Sequence, residues 1–118
     1  MNAADLPATL GMELKRRKYF VRMEVLEQTV HLVKIRLYIS ADLFIQIYRN
    51  DLYQTTNLAL IYNGQRLFAR DELDGRWHRH KADTPEKHDI SKEGRKPVVE
   101  IGEFLDEVEQ VLAALDLP

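Results

Sequence analysis

Apolar and polar residues alternate through the middle of the chain. Val33, Ile35, Leu37 and Ile39 are separated by Lys34, Arg36, Tyr38 and Ser40, the period of two that predicts a half-buried strand. Ser40-Ala41-Asp42 turns the chain into a second strand, where Leu43, Ile45 and Ile47 share one face, and Arg49-Asn50-Asp51 ends it. A third strand over residues 58–62 meets Asn63-Gly64. That pair supplies the positive φ angles of a type I′ turn, so residues 65–70 return as a fourth strand. Short connections leave no room for parallel crossovers, and the strands form an antiparallel meander.

The C-terminal segment changes period. Ile101, Phe104, Leu105, Val108, Val111, Leu112 and Leu115 form one helical stripe opposite an acidic face. Residues 12–30 fit both periods: Tyr19, Met23, Leu26 and Val30 suit a helix, whereas Tyr19, Val21, Met23 and Val25 suit a strand. The abundance of Glu, Leu, Lys, Arg and Met favours the helix. The expected architecture is therefore α+β, an antiparallel meander sheet of four to five strands covered by an N-terminal and a C-terminal helix. Residues 1–11 are expected as a flexible tail and residues 12–118 as a single α+β domain.

With 118 residues and 45 % hydrophobic content, the chain has the size and apolar fraction of one globular domain. It has no Cys, which excludes a disulfide scaffold, a thiol nucleophile and cysteine-ligated zinc. No apolar run approaches the ~18 residues of a membrane span, and no signal peptide is evident. The expectation is a soluble cytoplasmic protein with no membrane contact. A formal net charge of −2 hides an uneven distribution. Lys15, Arg16, Arg17, Lys18 and Arg22 crowd one end, and Glu100, Glu103, Asp106, Glu107, Glu109 and Asp116 the other. The two ends either steer a partner or face each other in the fold. The Lys15–Lys18 run could contact phosphates, but a slightly acidic chain makes a solvated helix face the plainer reading.

Candidate chemistry concentrates between residues 77 and 89. Trp77-His78-Arg79-His80 is followed by His88-Asp89, and the flanking Gly75 and Pro85 suggest a surface loop or edge strand. If the first stretch is extended, His78 and His80 point to one side, with Trp77 and Arg79 on the other. One imidazole could accept a proton while another donates one, and an arginine could stabilise phosphoryl charge. A second reading is a metal site of His78, His80, His88 and Asp89. A third is structural, with Trp77 at the core edge, solvated histidines and Arg79 paired to a carboxylate. Asp71 either orients a histidine or ends a strand.

Residues 58–66, Arg70-Asp71, Trp77-His78-Arg79-His80, Pro85-Glu86 with His88, and the helix containing Phe104-Leu105 together resemble the TumE-like proteins. These are small prokaryotic toxins of toxin–antitoxin pairs, otherwise of uncharacterised function. The resemblance runs from about residue 15 to residue 116. It implies a cognate antitoxin, typically DNA-binding, and a target in translation or nucleic-acid metabolism, but it transfers no active site. The expectation is thus a toxin-like component acting as a metal-independent ribonuclease on RNA, without cofactor or metal. His78, His80, His88 and Arg79 are its catalytic candidates, and Arg70, Asp71 and Trp77 its substrate-binding ones. The alternatives are a metal-binding regulator and a non-enzymatic interaction module. The module would bind a basic protein partner through the acidic helix face or an exposed sheet edge, or form a homodimer.

Overall fold

A computed structural model describes residues 1–81, 84–89 and 94–115, with residues 81 and 84–89 described by their backbone alone. Helix α1 (Leu6–Arg16) opens with Pro in its first turn and closes with Lys15 and Arg16, placing cations at the negative end of its dipole. Seven strands follow: β1 (Arg22–Gln28), β2 (Leu32–Tyr38), β3 (Leu43–Asn50), β4 (Thr55–Tyr62), β5 (Gln65–Leu73), β6 (Arg76–Lys81) and β7 (Thr84–Asp89). Helix α2 (Ile101–Leu115) ends the described chain. The strands lie in sequence order, β1 to β7, as one antiparallel meander.

The α+β meander with two helices stands, but the sheet exceeds the expected four to five strands. Residues 12–30 are helical only as far as Arg16; beyond it β1 takes the strand period and pairs with β2. The turn between them has neither Gly nor Pro. Thr29 forms it instead, its Oγ1 accepting from the N–H groups of His31 at 3.3 Å and Leu32 at 3.1 Å. Part of the expected tail is helix, with Ala3, Leu6 and Leu10 buried, and Asp51 accepts from the Ala3 N–H. The β5–β6 turn is Asp74-Gly75, both at positive φ like Asn63-Gly64. It extends the meander where a loop or edge strand was expected.

Both helices pack on one face of the sheet, α1 over β1 and β2 and α2 over β5. Inward residues such as Ile35, Leu37, Ile45, Ile47, Leu58 and Leu60 are fully buried beneath Leu10, Phe104, Leu105 and Val108. Phe68 stacks on Phe104 with ring centroids 5.8 Å apart.

The two charged ends of the sequence meet between the helices. Arg17 is 6 % exposed and donates to Glu13 Oε2 at 2.7 Å, to Glu109 Oε2 and to the Gly102 carbonyl at 3.3 Å. It also pairs with Asp106 Oδ1 at 2.9 Å. Burial disfavours its charge, but the hydrogen bonds it donates to Glu13 and its pairing with Asp106 outweigh burial and hold the guanidinium more firmly protonated than usual. Burial pushes the Tyr19 hydroxyl up, Arg17 opposing and Glu109 reinforcing. Much of the acidic face of α2 is therefore engaged within the fold rather than presented bare to a basic partner.

Candidate functional site

The β5–β6 register sets Asp71 opposite His78 and Ala69 opposite His80, with Arg70 opposite Arg79 and Glu72 opposite Trp77. Alternation then sorts these residues onto two faces. Arg70 also pairs in register with the inward Leu58, so Arg70, Arg79 and Trp77 share the face covered by the helices. Asp71, His78 and His80 lie on the face away from them. The expectation that His78 and His80 share a side opposite Trp77 and Arg79 holds. The same geometry separates Arg79 from the histidines by the thickness of the sheet.

On the far face Asp71 is the hub. His80 Nε2 lies 3.4 Å from Asp71 Oδ2, and Arg66 Nη1 lies 3.5 Å from the same oxygen. Arg66 Nη2 lies 3.5 Å from His80 Nδ1. With its amide nitrogen turned inward, Asn57 donates to Asp71 Oδ1 at 3.2 Å. A guanidinium can only donate, so in the neutral ring with Nδ1 accepting from Arg66 the proton lies on Nε2, toward Asp71. His80 is 4 % exposed and Asp71 8 %, whereas the Arg66 side chain is 41 % exposed. Arg66 is therefore, with Asn57, on the solvent-facing side of the cluster.

Arg66 was missed because it lies five positions before Asp71, an odd interval that puts two strand residues on opposite faces. A bulge at Leu67 corrects the count. The register passes from Leu60↔Phe68 to Ile61↔Arg66, so Arg66 swings onto the face of Asp71. The signal in the sequence was indirect. Asn63-Gly64 fixes the turn, and a tight turn with the strands' apolar pattern requires one extra residue in β5.

The remaining candidates fall elsewhere. Trp77 is 7 % exposed and belongs to the core, as the structural reading expected. Arg70 is 3 % exposed; its Nη1 meets both Glu107 oxygens at 3.2 and 3.0 Å and its Nη2 reaches the Lys96 carbonyl. Arg70 and Arg79 line a recess of about 360 Å³ with Lys96, Glu103 and Glu107 on the helix side. His88 lies in β7, and its side chain is outside the described residues. Among the described residues no group of three or more His, Asp or Glu side chains is placed to hold a metal, and no helix is long and apolar enough to cross a membrane. Compared with known protein families, curated proteins and solved structures, the chain matches none.

Proposed function

We propose that the chain is the toxin-like component of a toxin–antitoxin pair and acts as a metal-independent ribonuclease. The observation that carries this reading is the His80 imidazole held between the Asp71 carboxylate and the Arg66 guanidinium. Asp71 fixes the tautomer, leaving Nδ1 as the basic nitrogen, while Arg66 occupies that nitrogen in the free protein. An incoming phosphodiester attracts the exposed Arg66 away from His80, because a guanidinium prefers a charged phosphate to a neutral ring. Nδ1 then takes the proton of the 2′-hydroxyl as that oxygen attacks phosphorus. His78, on the same face opposite Asp71, donates a proton to the departing 5′-oxygen, giving a 2′,3′-cyclic phosphate and a free 5′-hydroxyl. Arg66 takes the phosphate-binding role expected of Arg79 or Arg70, and stabilises charge on the phosphoryl oxygens. The family resemblance supplies the toxin setting and the antitoxin partner.

The test is purified protein with single-stranded RNA in excess chelator, wild type beside His80→Ala and Asp71→Asn, each checked for fold by circular dichroism. Cleavage leaving 2′,3′-cyclic ends, lost in His80→Ala and reduced about tenfold or more in Asp71→Asn, is expected. Equal cleavage by wild type and His80→Ala, or none by wild type, overturns the ribonuclease. Growth arrest on induced expression, relieved by a neighbouring gene's product, is the corresponding expectation for the toxin setting.

A further inference from the structure

We propose that β1 is the strand through which two copies of the chain pair, antiparallel about a two-fold axis, so that two seven-stranded sheets become one. The inference does not depend on the ribonuclease reading. Strand β1 stands at the end of the sheet order, with β2 as its neighbour. Its outer edge therefore carries a row of N–H and C=O groups suited to another strand. Edges meant to stay single are blunted by proline, by lysine or by extreme shortness. β1 has seven residues, Arg22-Met23-Glu24-Val25-Leu26-Glu27-Gln28, which is ordinary length, and contains neither Pro nor Lys. Its protective devices are the bulge between Val25 and Glu27 and the charges of Arg22, Glu24 and Glu27, which a partner strand must match. Large apolar side chains nonetheless crowd this edge: Val25 and Leu26 are each 42 % exposed, and Val21 just before the strand is 67 % exposed.

Charge selects the occupant. Lys18 and Arg22 lie at the start of this edge, and Glu24 and Glu27 follow along it. A strand running parallel to β1 with the same sequence would set like charges side by side. An antiparallel second copy sets the basic start of each strand against the acidic stretch of the other, twice by symmetry. Val25 and Leu26 of both copies then fall between Arg22 and Glu27, the arrangement of an apolar centre with a polar rim, and Val21 lies just beyond Arg22. A second copy of this chain satisfies the backbone row, the apolar residues and the charge order together.

Sedimentation equilibrium across the micromolar range tests the pairing. The wild type should reversibly dimerise, and Leu26→Lys with Val25→Lys should weaken the dimer at least about tenfold with unchanged circular dichroism. Arg22→Glu alone should also weaken it. Combining Arg22→Glu with Glu24→Arg and Glu27→Arg reverses the polarity of the strand, and dimerisation should return. A monomeric wild type, or a dimer unaffected by the two lysines, overturns the proposal. So does failure of the triple variant to recover while folded. These outcomes are read without reference to RNA cleavage, so they are independent of the proposed activity.

Discussion

Arg17→Ala should be among the most damaging single substitutions outside the apolar core, and the reason is electrostatic. Arg17 is the cation of a cluster that joins α1 to α2 through Glu13, Asp106 and Glu109. Removing one partner of a buried ion pair costs about 3–5 kcal/mol, most of it the penalty for the charge left behind. Here the abandoned carboxylates differ. The side chains of Asp106 and Glu109 are 68 % and 43 % exposed, so water compensates them and their share is small. Glu13, with its side chain 11 % exposed, carries the penalty, and Arg16 3.7 Å away offsets part of it, which places the cost near the lower bound at about 3 kcal/mol. Unfolding entropy for a domain of this size converts that into a fall in Tm of about 12 °C. Urea denaturation at pH 7 measures the first quantity and calorimetry the second. Adding Glu13→Gln fixes the cause: removing the charge of the abandoned carboxylate should restore part of the loss. A loss below about 1 kcal/mol would refute the reasoning, placing Arg17 among ordinary surface pairs. A double variant as unstable as Arg17→Ala alone would refute it equally, by tracing the loss to packing.

Two further substitutions test the frame around the site. Phe104→Ala removes a fully buried ring stacked on Phe68 and should cost about 3–5 kcal/mol in urea denaturation, with α2 loosened from β5. Gly64→Ala should cost about 1–2 kcal/mol through backbone conformation alone. Gly64 sits at φ +76° with open space where a Cβ would stand, so a large loss would indicate a steric clash that the structure does not contain.

The strands over residues 33–70 were legible because one face is buried by helices and the other is not, which forces a strict alternation, whereas β6 and β7 were read as a surface loop or edge strand. The C-terminal helix was legible for the same reason at its own period. Residues 12–30 were not, because β1 is an edge strand with both sides half-exposed. Its burial hardly alternates, and helix-favouring Glu, Leu and Met cost little there. Length also misled. Two helical turns sit in a segment read as a tail, where Leu6 and Leu10 alone carry the apolar signal.

The candidate site shows where such reading reaches its limit. Alternation correctly paired His78 with His80 and Trp77 with Arg79, since parity within one strand needs no tertiary information. Which carboxylate and which cation join the histidines depends on register between strands, and register depends on the bulge at Leu67. Without that residue Arg66 would project toward the helices, and Asp71 and His80 would lack their cation. Deleting Leu67 is therefore a sharper probe than replacing any member of the cluster, because it leaves every candidate residue in place while turning one to the wrong face. The deletion variant should retain the meander with modest loss of stability and should lose whatever activity depends on Arg66 beside His80. Activity retained by a folded deletion variant would place the functional cation elsewhere.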